Sequence, residues 1–154
     1  MKTLDIATLW LVTEDKELLL QKRALTRRLH PGEWGPSVTG TKDGNETTEQ
    51  TLAREVEEEF GLSPTDYRPI FLWMKEFMHE DGNIRRFSIH GALVPKEISE
   101  KFVLDSKEVA ETKWFPIQTI RDMLAVPDEK YKIVPSAKEV WPETFAKLEQ
   151  EFFR

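Results

Sequence analysis

Residues Gly40 to Leu62 read GTKDGNETTEQTLAREVEEEFGL, a glycine-led loop running into a stretch with glutamate at four of the five positions from Glu55 to Glu59. Neither Gly nor Pro interrupts Thr47 to Phe60. Thr47 and Gln50 have the spacing of a capping box, and Gly61 stands where a helix would stop. The stretch therefore predicts a helix from Thr48 to Phe60. On it, Glu55, Glu58 and Glu59 share one arc of about 100°, and Leu52, Ala53, Val56 and Phe60 form the adjoining apolar arc. Glu57 points elsewhere and is expected to be solvated. Like charges at these spacings repel by about a few tenths of a kcal/mol per pair, and Arg54 offsets only part of that. The arc is either a solvated acidic face or a cation site. Clustered carboxylate oxygens suit a hard divalent ion, and magnesium characteristically takes its remaining ligands from water and a substrate phosphate.

The surrounding composition narrows the function classes. With 154 residues, 39% hydrophobic and 32% charged, the chain suits one globular domain over 1–154, and no linker-like tract divides it. The longest apolar run, around Ile6 to Val12, is too short to span a membrane, and the first ten residues lack the pattern of a signal peptide, so a cytoplasmic location is expected. The chain has no cysteine, which excludes disulfides, thiolate metal sites and cysteine nucleophiles. A net charge of −6 argues against long nucleic acids as partners, since these require a basic footprint.

Working outward from the acidic helix, Leu4–Val12 and Glu17–Lys22 read as a hairpin or two adjacent strands around a Glu14-Asp15-Lys16 turn. Lys22, Arg23, Arg27, Arg28 and His30 then crowd a loop ending in Pro31-Gly32. If this loop lies beside the acidic helix, Arg23, Arg27 and Arg28 are candidates to hold substrate phosphates; the alternative is a solvated basic loop. Trp34–Gly40 reads as a strand that brings Gly40 close to a metal or phosphate. Beyond the helix, Tyr67–His79 and Ile84–Val94 flank a Glu80-Asp81-Gly82-Asn83 turn. Along this hairpin Phe71, Trp73, Phe77, Phe87 and His90 form either a base-stacking wall or, as is commoner for aromatics in strands, core. Glu108–Ile117 reads as a strand, with Pro116 opening a helix through Met123. A last amphipathic helix after Trp141-Pro142, marked by Phe145, Leu148 and Phe152, closes the core or makes a homodimer contact.

Position for position, the opening stretch resembles the signature of the Nudix hydrolase family, carried by Gly40, Glu46, Arg54, Glu55, Val56, Glu58, Glu59, Gly61 and Leu62. Nine such matches at fixed spacing arise by chance on the order of once in 10⁹ start positions. The resemblance extends over nearly the whole chain and implies an α/β Nudix fold, a mixed β-sheet sandwiched between α-helices. It also implies Mg²⁺ or Mn²⁺ held by Glu55, Glu58 and Glu59 with the backbone carbonyl of Gly40. Arg54 and Glu46 are then implied to orient that cluster, and Glu108, with Glu111 as second candidate, to supply a further catalytic carboxylate. The reaction implied is hydrolysis of a diphosphate linkage in a nucleoside diphosphate joined to another group. In it, Glu55 or another of the cluster draws a proton from the attacking water.

Within the family, LLLQKRALTRRLHPGEW, the SVTG leading into the box and EVAETKWFPI look most like the branch related to isopentenyl diphosphate isomerase. That enzyme requires a cysteine in the strand before the box and a histidine soon after it. Thr39 and Thr41 stand at those positions here, which disfavours isomerisation. Around Phe77–Glu80 the proline of ADP-ribose hydrolases and the tyrosine of dinucleoside polyphosphate hydrolases are both absent. A second class of function is a Nudix module that binds a nucleotide without turning it over. Retention of every box glutamate weighs against it.

Overall fold

The computed structural model describes residues 1–153. Its framework is a seven-stranded mixed sheet built from β1 (Thr3–Val12), β2 (Glu17–Arg23), β3 (Trp34–Gly35), β4 (Val38–Thr41), β5 (Ile70–Met78), β6 (Ile84–Leu93) and β7 (Val109–Pro116). The path runs β3-β2-β1-β6-β5, with β4 added to β1 and β7 to β2. Period-two alternation in β1 sends Ala7, Leu9 and Leu11 to one face and Trp10 and Val12 to the other. The first face is covered by α1 (Thr48–Phe60) through Leu52, Val56 and Phe60. The second is covered by α3 (Ile117–Ala125) and α4 (Ala137–Phe152) through Ile120, Trp141, Phe145 and Leu148. The result is the expected sheet between helices, each fully buried Leu, Val or Phe being worth about 1.5–3 kcal/mol.

One departure from regular pairing opens a cleft beside β1 and β2. After the turn, β1 and β2 are in register only at Val12↔Leu18 and then separate; β1 pairs with β4, and β2 pairs with β3 and β7. The strand expected over Trp34–Gly40 is accordingly two short strands on opposite sides of the gap. The break falls at Pro36, which has no N–H to give a ladder, and at Ser37. Ser37 is buried, accepts from the Leu11 N–H at 2.9 Å and donates to the Leu19 carbonyl at 2.7 Å, so one hydroxyl replaces the backbone bonds lost where the strands part.

α1 has the predicted limits, with the Thr47–Gln50 capping box at its start and Gly61 at φ 72° at its end. Only glycine adopts that backbone without strain. The orphan carbonyls of the last turn are satisfied from outside: Val103 N–H bonds the Phe60 carbonyl and Asp105 N–H the Glu59 carbonyl. Two boundaries differ from the sequence reading. Tyr67 lies not in a strand but in α2 (Pro64–Tyr67), because Pro64 opens a helical turn and Asp66 caps the Ser63 N–H. α4 begins five residues before Pro142, whose ring is accommodated inside it. Its apolar stripe is spent on the core, with Phe145 and Leu148 fully buried.

Candidate functional site

The arc of carboxylates on α1 is graded by its distance from the apolar stripe. Glu58, farthest from the stripe, has a side chain 56% exposed; that of Glu55 is 17% exposed, and Glu59, next to the stripe, is buried at 1%. Glu57 is exposed, as expected.

Arg54 organises the outer part of this arc. Its guanidinium makes a bidentate contact with Glu46, Nε to Oε2 at 2.7 Å and Nη2 to Oε1 at 3.0 Å. It also reaches Glu55 Oε1 at 2.7 Å, the Thr41 carbonyl at 3.2 Å and Glu58 Oε2 at 3.5 Å. Glu46 accepts from the Asp43 N–H and the Thr51 hydroxyl as well. These bonds, that from Arg54 foremost, hold the Glu46 carboxyl down to about 2. Arg54 is correspondingly pushed up, first by Glu46.

Glu59 sits in the opposite situation. Burial first, then the facing Glu55 carboxyl, drive it far above the ordinary carboxylate range; Gln21 and the more distant Arg27 counter this only in part. Its direct neutral partner is Gln21, which donates from Nε2 to Glu59 Oε1 and to the Ser37 carbonyl, both at 2.8 Å. Gln21 and Ser37 thus tie the buried carboxylate to the parted strands. Neither was anticipated from sequence, although a buried glutamine closing the run ELLLQ is a visible polar interruption.

Gly40 is where the loop meets this acidic face. A Cβ built there would lie 2.2 Å from Glu55 Cδ, so the backbone of β4 is pressed directly on that carboxyl, an approach only glycine permits. Gly40 and Glu55, with Glu58, line a cleft of about 1030 Å³. The basic residues Arg23, Arg27 and Arg28 line the same cleft, as does Glu108. Glu108 is ion-paired to Arg27 at 2.6 Å, and its carbonyl accepts from Ala24 N–H, which pins the basic loop against the start of β7. Burial, and then the neighbouring Arg27, lower Arg23. Glu111 is exposed and takes no part in the lining. Of the five hairpin aromatics only Phe87 lines the cleft. His90 is buried, Trp73 donates to Thr144 Oγ1 and Phe77 stacks on Phe87, so these three pack; Phe71 lies edge-on to His90 but is 56% exposed and belongs to neither the cleft wall nor the core.

Among the described residues no three His, Asp or Glu side chains are gathered into a ready cation cage. The donor chemistry nevertheless fits a hard divalent ion: the available ligands are all oxygens, a buried carboxyl faces a second one, and the backbone of Gly40 is moulded onto it.

Comparison with known proteins agrees with this architecture. The family model for the NUDIX domain matches residues 2–137, and the chain belongs to that family. Among curated proteins, isopentenyl-diphosphate Delta-isomerase of Salmonella paratyphi B is 29% identical over 119 residues, 77% of this chain and 65% of that protein. The chain thus spans about two thirds of the length of the curated relatives it matches. Among solved structures, the MutT protein from Methanosarcina mazei Go1 superposes with a TM-score of 0.71 at 18% identity, covering 99% of this chain and 97% of that one. The NUDIX domain of Shewanella oneidensis NrtR, solved in complex with ADP-ribose, superposes with a TM-score of 0.67 at 18% identity, covering 98% and 89%. No helix among the described residues is long and apolar enough to cross a membrane.

Proposed function

We propose that the protein is a pyrophosphohydrolase that uses Mg²⁺ or Mn²⁺ to cleave a diphosphate linkage in a nucleoside diphosphate joined to another group. The observation that carries this reading is the pairing, in one cleft, of Glu55 and Glu58 on α1 with Arg23, Arg27 and Arg28 on the loop after β2. Glu55, Glu58, Glu59 and the Gly40 carbonyl would hold the divalent ion, which when bound neutralises phosphate charge and acidifies water. The arginines bind and orient the phosphates, and the Arg54–Glu46 pair fixes the angle at which Glu55 presents its oxygens. Glu55, or another carboxylate of the group, takes the proton of the attacking water as the new P–O bond forms. The P–O bond to the leaving phosphate breaks, and the two products carry the two phosphates between them. Glu108 is placed to assist only when it exchanges its Arg27 partner for substrate or solvent.

The isomerase activity named for the Salmonella relative is disfavoured here, because the chain has no cysteine and Thr39 and Thr41 stand at the positions of that enzyme's cysteine and histidine. The test is product analysis over a panel of nucleoside diphosphate derivatives with Mg²⁺ or Mn²⁺. The reading requires metal-dependent release of phosphate-bearing fragments that disappears in Glu58→Gln. Saturable binding with no product in either metal would instead mark a non-catalytic nucleotide-binding module.

A further inference from the structure

The two outer edges of the sheet are finished differently. Among the described residues β7 pairs only with β2; it carries Glu111 and Lys113 and ends at Pro116, which has no N–H to offer. Charges and proline are the usual guards of an edge strand. β5, at the other end of the strand order and paired only with β6, reads IFLWMKEFM, without proline and with seven apolar side chains. Trp73 and Phe77 turn to the α4 layer. On the other face, Met74 and Glu76 are opposite Ser88 and Arg86 of β6, which are in turn opposite Ala7 and Asp5 of β1, so both lie on the α1 side of the sheet. Met78 shares that side by alternation, and the irregularity between Phe71 and Trp73 brings Phe71 to it as well, opposite His90. α1 packs on β1 and β4, and Phe71, Met74 and Met78 are left 56%, 52% and 64% exposed. The one charge of β5 on this face is already compensated: Glu76 pairs with Arg86 at 3.1 Å, and Arg86 with Asp5 at 3.1 Å.

We propose that β5 is the docking edge for a second copy of this chain, the two strands pairing antiparallel about a two-fold axis at Met74. Opposed residues of an antiparallel pair lie on one face, so such an axis passes through a residue. At Lys75 or Glu76 it sets like charges against each other, which is destabilising. At Met74 it overlaps the whole of β5, brings Met74 against Met74 of the partner subunit, and places Lys75 across from Trp73 of the partner subunit, an aromatic in place of a like charge. Every other axis shortens the overlap. With Glu76 compensated within its own protomer, the exposed face calls for an apolar partner, and the sheet of one copy continues into the next. One strand edge and three side chains fall short of the roughly 800 Å² per partner of a standard stable interface, so the association is weak, with a Kd on the order of 10–100 µM. β5 leads directly into the turn whose His79, Asp81, Asn83 and Arg85 line the cleft, so pairing also steadies that wall. The assembly is independent of the reaction assigned to the cleft.

The test is sedimentation velocity of the full chain from about 5 to 500 µM, a range that brackets this Kd. The expected result is a shift from monomer to dimer across the range, lost in Met74→Lys and in Met74→Glu, each of which places two like charges at the axis. An equimolar mixture of the two variants is expected to regain the dimer, since opposite charges then meet there. Circular dichroism checks that each variant folds, and Val126→Lys, at an exposed apolar position just after α3, is expected to leave the dimer unchanged. Hydrogen exchange locates the contact: the amides of β5 slow at high concentration and those of β7 do not. A wild type that stays monomeric throughout, a dimer indifferent to Met74→Lys, or a mixture of the two variants that stays monomeric overturns the proposal; the first of these leaves the edge to a different partner.

Discussion

Glu46 and Glu59 belong to one sequence motif and stand near opposite ends of one helix, yet the fold treats them in opposite ways. Glu46, before α1, is met by two guanidinium nitrogens, a hydroxyl and a backbone N–H, and its charge is fully compensated within the protein. Glu59, in the last turn of α1, is buried against a second carboxyl with a neutral amide as its direct partner. A protein gains nothing in stability from the second arrangement, since a buried carboxylate without a cation is costly. The contrast separates an internally paired carboxylate from one that the proposed function assigns to a cation: Glu46 holds Arg54, and Glu59 is left without a charged direct partner.

The largest consequence is catalytic. Glu59→Gln is expected to lower kcat/KM for diphosphate hydrolysis on the order of 10³-fold, because several kcal/mol of charge stabilisation leave with the metal. Glu46→Gln loses only an orienting contact and is expected to cost about 10–100-fold. Steady-state kinetics on both variants breaks the comparison if the order is reversed. Gly40→Ala comes next. The added methyl displaces the Glu55 carboxyl, and a misplacement of about 1 Å costs on the order of 10²-fold, with the fold retained by circular dichroism. Gln21→Leu removes the amide bond to Glu59, which is expected to weaken Mn²⁺ binding about tenfold.

The smallest effect, and the one that separates the two glutamates most finely, is in pH dependence without metal. Glu59 is raised, so the folded protein keeps its proton to higher pH than the unfolded chain does. Its contribution is intact in acid and is lost as pH rises above the ordinary carboxylate range. Glu46 is depressed to about 2, so its contribution is present above the ordinary carboxylate range and is lost as pH falls toward 2. In EDTA, the thermal midpoint of Glu59→Gln relative to wild type should therefore climb with rising pH. The deficit of Glu46→Gln should shrink as the solution is acidified. Parallel profiles for the two variants would contradict the distinction.

The sequence made the helix, its caps and its three-carboxylate arc legible because each depends on neighbours within one or two turns. It also indicated that Glu57 is solvated, since helical geometry alone sets its direction. It did not reveal that Glu59 and Gln21 meet, because their contact depends on β1 and β2 parting after a single paired position, a tertiary event signalled only by Pro36 and Ser37. The hairpin aromatics illustrate the same limit. Alternation identifies their strands, but which of them meets the cleft depends on packing against α4, which takes Trp73 for Thr144 and leaves Phe87 in the lining. The basic loop was visible as a cluster of charge; its attachment through Ala24 and Arg27 to Glu108, more than eighty residues along the chain, was not.

Glu55, Glu58 and Glu59 are proposed to form an acidic site completed by a divalent cation. Calorimetric titration of the metal-stripped protein with Mn²⁺, in parallel for wild type and Glu59→Gln, addresses it directly. The expected result is saturable binding by wild type that is abolished or weakened at least about tenfold in the variant. Indistinguishable isotherms, or no saturable binding by wild type in the presence or absence of a nucleoside diphosphate, would contradict it.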